Sequence, residues 1–160
     1  MRLLIALLVC LCGVVQADAR TTRGYKNGKP VKIRVTTIGW AEVEVLTAKA
    51  FRMMERAAEK DGISLTIRSG FRDHDRQKFL YRAYREGWGN KAARPGFSNH
   101  ESGRALDIHV DGDTLRWLSR NAKRFGFTQT VRGEPWHWEF SGRLPKEKRV
   151  ARATSKRRRS

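Results

Sequence analysis

The stretch S-N-H-E-S-G-R-A-L-D-I-H-V, residues 98–110, decides how this chain is read. Over residues 105–110 apolar and polar side chains alternate, so Leu106, Ile108 and Val110 can pack a core while Asp107 faces the opposite way. That alternation marks a strand with one buried face. A second run, E-P-W-H-W-E-F at residues 134–140, repeats it, with Trp136, Trp138 and Phe140 on one face and His137 on the other. Two strands of this kind, apolar behind and polar in front, can hold a metal ion between them.

His100, Asp107 and His137 supply two imidazoles and one carboxylate, a set that suits one zinc ion with a coordination position left for water. Glu134, three residues before His137, is placed to take that water's proton, and zinc lowers the pKa of bound water to about 7. A lone His or Asp in a strand is usually just a polar residue on an exposed face. Three together, with a Glu at the right offset in a chain of only four histidines, point to a zinc hydrolase. His109 shares the face of Asp107, but residues two apart on a strand are about 7 Å apart, so it reads as a hydrogen-bonded wall of the cleft. Glu139 stands in the same relation to His137 and reads as an orienting or substrate-facing carboxylate. His74, between Asp73 and Asp75, reads as a surface residue.

The chain's 160 residues suit one domain. Met1-Arg2 followed by the apolar run 3–15 has the charge and length of a secretory signal ending near Ala17 or Ala19, and the run is too short for an ordinary membrane anchor. Both cysteines, Cys10 and Cys12, fall within it, so the exported form would have no disulfide and no thiolate ligand. The net charge of +18 survives removal of this segment, because Arg2 and Asp18 cancel. Such a surplus favours polyanionic surroundings. Residues 143–160 concentrate it, with nine lysines and arginines against Glu147, and read as a disordered basic tail that either solubilises the chain or tethers it to anionic wall or envelope polymers. No aromatic side chains interleave with these charges, which speaks against a specific nucleic-acid partner.

Between the ends the expected organisation is a signal at 1–19, one domain carrying the zinc site at 20–142 and the tail at 143–160. Residues 32–37 alternate as a strand, and residues 41–60 carry Leu46, Ala50, Met53, Met54 and Ala57 at helical spacing before Asp61-Gly62, with both methionines as core filler. Ile63, Leu65 and Ile67 alternate again. Asp73 can cap a second helix with Gln77, Leu80, Tyr81 and Tyr84 on one face and Gly87 at its end. Residues 86–98 read as a loop. A third helix, capped near Asp113 or Thr114, turns Leu115, Leu118 and Ala122 inward and stops at Gly126, after which residues 127–131 and 136–140 can pair around Gly133. The fold class is α+β: a small single domain with a largely antiparallel sheet and packed helices, the zinc site in a cleft on the sheet.

The chain resembles the zinc peptidases that include VanY-like D-alanyl-D-alanine carboxypeptidases, D-alanyl-D-alanine dipeptidases and phage L-alanyl-D-glutamate endopeptidases. The resemblance rests on S-G-F-R at residues 69–72 with Gln77 following, P-G-F-S-N-H-E-S-G-R-A-L-D at 95–107 and E-P-W-H at 134–137, and covers roughly residues 37–140. It implies zinc ligands at His100, Asp107 and His137, a base at Glu134, Arg72 as stabiliser of the oxyanion, and Gln77 and Ser98 as substrate contacts. Many such proteins follow the last histidine with an aromatic, an arginine and a tyrosine, whereas Glu139 takes the arginine's place here. The expected function is that of a secreted monomer, periplasmic or extracellular, trimming the terminal D-alanine of peptidoglycan stem peptides. An endopeptidase of the same chemistry, or a non-catalytic zinc module that binds the envelope, are the alternatives.

Overall fold

The computed structural model describes residues 19–144, so the stretches read as export signal and most of the basic tail lie outside the described residues. The chain opens on a three-stranded antiparallel meander, β1 (Arg20–Lys26), β2 (Lys29–Ile38) and β3 (Ala41–Glu44). Asn27 and Gly28, with φ of 52° and 76°, close the β1–β2 hairpin in the backbone that a right-twisted two-residue turn demands. The strand expected at 32–37 lies inside β2.

The helix expected from Ala41 begins four residues later. Ala41 and Val43 are buried on one face of β3, which pairs with β2 through Val35↔Glu44 and Ile38↔Ala41. Glu44 then caps α1 (Val45–Lys60), its carboxylate accepting from the Leu46 and Thr47 amides. Ladder pairing thus overrides the helical propensity of this segment. Phe51, Met54, Ala57 and Ala58 face the core, Met53 packs at its edge, and Leu46 is 36% exposed rather than inward. The helix ends at Asp61, with Gly62 at φ 76°.

The second sheet has the strand order β4 (Ile67–Ser69), β5 (Ala105–Ile108), β7 (His137–Phe140) and β6 (Phe127–Thr128), every pair antiparallel. β4 is shorter than the alternation from Ile63 implied, although Leu65 and Ile67 are buried as expected. α2 (His74–Arg85) is capped by Asp73 as expected, but it buries Gln77 and Ala83, while Tyr84 is exposed. α3 (Gly112–Asn121) is capped two to three residues earlier than expected, by Asp111, whose carboxylate accepts from the Thr114 amide. A one-turn 3-10 helix (Ala122–Phe125) follows and stops at Gly126, φ 86°. Leu106, Ile108, Trp138 and Phe140 from the second sheet meet Phe51, Met54, Leu118 and Phe125 from the helices in one apolar core, against which Leu144 also packs. Trp136 lies before β7 and is 42% exposed, so it does not share the core face of Trp138 and Phe140. Among the described residues no helix is long and apolar enough to cross a membrane.

Candidate metal centre

Register brings the first two side chains of the site together. Asp107 on β5 stands directly opposite His137 on β7, next to the pair Leu106↔Trp138, and on its other side faces Ser69 of β4; cross-strand partners hold their Cβ atoms about 5 Å apart. Leu106 and Ile108 are fully buried on the far side of β5, which anchors the strand with Asp107 turned toward the cleft. His100 arrives from the turn before β5. That turn is shaped by Gly103, φ 68°, whose missing Cβ would lie 2.7 Å from the Glu44 Cβ and 2.9 Å from its amide nitrogen. Its amide donates to the His100 carbonyl at 3.0 Å, closing the turn on the histidine itself.

Donor atoms of His100, Asp107 and His137 all lie within 4.8 Å of one another. Asp107 Oδ1 is 3.3 Å from His100 Nε2 and 3.1 Å from His137 Nδ1. With metal bonds of about 2.0–2.2 Å, donors on a tetrahedral zinc ion stand roughly 3.3–3.5 Å apart, so the spacing fits. The far nitrogens fit as well. His100 Nδ1 is 2.7 Å from the Gly70 carbonyl, and His137 Nε2 is 3.1 Å from Glu139 Oε1. A ring N–H donated to those acceptors leaves the other nitrogen's lone pair facing the shared point, which is how metal-ligating imidazoles are held.

The charges of the group are strongly coupled. Burial alone would raise the Asp107 carboxyl, but hydrogen bonds from His100 and His137 and their charges hold it far below the carboxylate range. Burial would lower His137, yet its hydrogen bonds to Asp107 and Glu139 push it up to about 9. Glu139 is lowered, chiefly by its hydrogen bond to His137 and against its own burial, with Asn99 and Thr130 adding hydrogen bonds from the side. The carboxylates of Asp107 and Glu139 thus favour positive charge at this point, a preference that a divalent cation would satisfy.

Around this group stand the remaining residues singled out from sequence. Arg72 places a terminal nitrogen 3.9 Å from Asp107 Oδ2 and donates to Gln77 Oε1 at 3.0 Å, while Gln77, fully buried, donates to the Ala93 carbonyl. Burial holds the Arg72 guanidinium below its usual pKa, opposed by Asp107. Ser98 Oγ accepts from the His100 amide at 3.3 Å. Glu134 lies in the turn entering β7, its carbonyl accepting from the His137 amide at 3.0 Å, and its carboxylate acts electrostatically on Arg72. His109 lies beyond the end of β5 and is exposed, its amide donating to Thr66.

Sequence reasoning missed the support beneath the His100 turn. Glu101 is wholly buried, its carboxylate accepting from the Gly96 amide at 2.7 Å and the Ser98 amide at 3.3 Å and meeting His74 Nδ1 at 2.6 Å. The His74 ring stacks on Tyr25 of β1 at 3.8 Å, so His74 is a packed partner rather than a surface residue. The Tyr25 amide donates to the Glu101 carbonyl, and the Gly28 amide to Gly96. The first hairpin is thereby laced to the turn that presents His100. The Asn27-Gly28 pair was a visible hairpin signal, but nothing local in sequence announced its docking place.

A family model described as VanY, D-alanyl-D-alanine carboxypeptidase, matches residues 41–143. A D-alanyl-D-alanine carboxypeptidase of Enterococcus faecalis is 30% identical over 54% of this chain and 43% of its own length, and one of Enterococcus faecium is 33% identical over 59% and 36%. The chain spans less than half the length of the curated relatives it matches. Among solved structures, VanYB in complex with D-alanine-D-alanine aligns with a TM-score of 0.61 at 21% identity, covering 82% of this chain and 90% of that one.

Proposed function

The chain belongs to the VanY family of D-alanyl-D-alanine carboxypeptidases, and from that premise we propose that it is a zinc-dependent peptidase removing the terminal D-alanine from peptidoglycan stem peptides. The observation that carries the reading is the triangle of His100, Asp107 and His137, spaced for one tetrahedral ion, with each imidazole's outer nitrogen already held by an acceptor. The names of the curated relatives support the substrate, and a solved VanY mutant of the same fold holds Zn(II).

Zinc held by these three residues would supply Lewis acidity and bring a water's pKa to about 7. Glu134 takes the proton as the water oxygen adds to the scissile carbonyl. Arg72, fixed by Gln77 and facing Asp107, meets the negative charge that develops on the carbonyl oxygen. Glu134 then passes its proton to the nitrogen as the C–N bond breaks, leaving a new carboxylate and free D-alanine. Ser98, whose hydroxyl accepts from the His100 amide, is assigned a contact with the bound peptide. The apolar run at 3–15 supports export to the periplasm or beyond, and the basic tail supports attachment to anionic wall polymers.

Incubating the full chain with purified peptidoglycan, with and without a chelator, tests this. D-Alanine should be released only with zinc present, and Glu134→Gln should lower the rate by at least about 100-fold. Release of internal stem fragments instead of D-alanine would replace the carboxypeptidase reading with an endopeptidase one, and full turnover by Glu134→Gln would reject the mechanism.

A further inference from the structure

We propose that the cleft between the first hairpin and α2 is a subsite for a substrate carboxylate, with Arg76 as the residue that recognises its charge. This rests on the peptidase reading above and names how that site would grip its peptide.

The cleft, of about 480 Å³, opens beside the metal-competent group, for Arg72 lines it, and so does Ser69, the β4 partner of Asp107. Its charged lining is three arginines against two acids, Arg20, Arg72 and Arg76 against Glu42 and Asp73. The acids are engaged elsewhere. Glu42 is held by Arg20 through paired contacts of 2.5 and 2.6 Å, and Asp73 accepts from the Arg76 amide as the cap of α2. What remains is the guanidinium of Arg72, whose nearest acid stands 3.9 Å away, and that of Arg76, which is ion-paired to no carboxylate among the described residues and rests over the Phe79 ring at 4.9 Å. The two positive charges line one cleft and repel one another. An anion lodged between them would relieve that repulsion, and guanidinium pairs recognise carboxylates by charge-assisted hydrogen bonds.

Within the ligand-bearing strand β7 there is no lysine or arginine, and Glu139 is committed to His137, Asn99 and Thr130. Arg72 and Arg76 are the cations that share the cleft beside Ser69. The carboxylate could be the peptide's own C-terminus or an acidic group further along the stem, and the experiment separates them.

Binding is measured by calorimetry on the zinc-loaded full chain carrying Glu134→Gln, so that no turnover intervenes. Three peptides are compared: one with a free C-terminus and an internal acid, its C-terminal amide, and the form with the internal acid amidated. Adding Arg76→Gln should weaken binding of the first peptide about tenfold, the scale of one charge-assisted hydrogen bond, and should leave unchanged the one amidated form that lacks the recognised group. Arg76→Lys should recover part of the loss. In the otherwise native enzyme Arg76→Gln should raise KM with kcat unchanged, which a merely structural role would not produce. Equal affinities of parent and Arg76→Gln for all three peptides, or a parent that binds none, would overturn the subsite. Binding that discriminates as described, in a protein whose native form releases no D-alanine, would reject only the carboxypeptidase reading.

Discussion

At the scale of single residues, Asp107 offers the same oxygen to two imidazoles, and each imidazole is braced from behind, His100 by a backbone carbonyl and His137 by Glu139. Bracing partners of this kind commonly account for 10- to 100-fold in metal affinity, so Glu139→Ala should weaken zinc binding by about tenfold or more, read by competition with a chromophoric chelator. An unchanged affinity would mean that His137 is oriented by its strand alone. Glu101 makes a different claim on the site. Its removal in Glu101→Ala leaves the buried Gly96 and Ser98 amides without an acceptor, which should cost on the order of 3 kcal/mol of stability in chemical unfolding and loosen the turn that carries His100. Asp107 and His137 stood out in sequence because alternation in β5 and β7 sets them apart from their apolar neighbours, and the structure brings them together with His100. Glu101 and His74 did not, because what buries them is a contact 27 positions away in sequence and a ring from β1.

Elements explain why the site has the shape it has. Antiparallel pairing of β5 with β7 places Asp107 and His137 on adjacent strands, while a glycine turn packed against the cap of α1 delivers His100. Gly103→Ala should therefore do double damage. Its positive φ disfavours any side chain, and the new methyl would collide with Glu44, so a loss of about 2 kcal/mol or more is expected in thermal or chemical unfolding, with weaker zinc binding alongside. A variant as stable as the parent would show that the turn can re-form around a side chain. Sequence periodicity located every helix of the described residues but misplaced the start of α1, because Ala41–Glu44 is drawn into a ladder with β2 that local propensity does not reveal. The first strand escaped for the same reason, since Arg20–Lys26 is mostly polar and finds its place by pairing.

For the whole molecule, a metal that binds only the folded state should stabilise it by mass action. Zinc at 100 times its dissociation constant should add about 2.7 kcal/mol, seen as a rise in Tm that His100→Ala abolishes. Deleting residues 146–160 should weaken binding to anionic wall polymers at low salt and leave cleavage of a small soluble peptide intact, whereas a wall affinity indifferent to salt in both forms would remove the tether. Composition could suggest the tether and motif order the family, but the lacing of the first hairpin onto the site required three dimensions. Everything turns on one ion shared by His100, Asp107 and His137, and zinc stoichiometry measured on the purified chain and on its His100→Ala and His137→Ala variants tests that directly. One equivalent is expected in the parent and none held by either variant after dialysis; a full equivalent retained by both would rule out the shared ion.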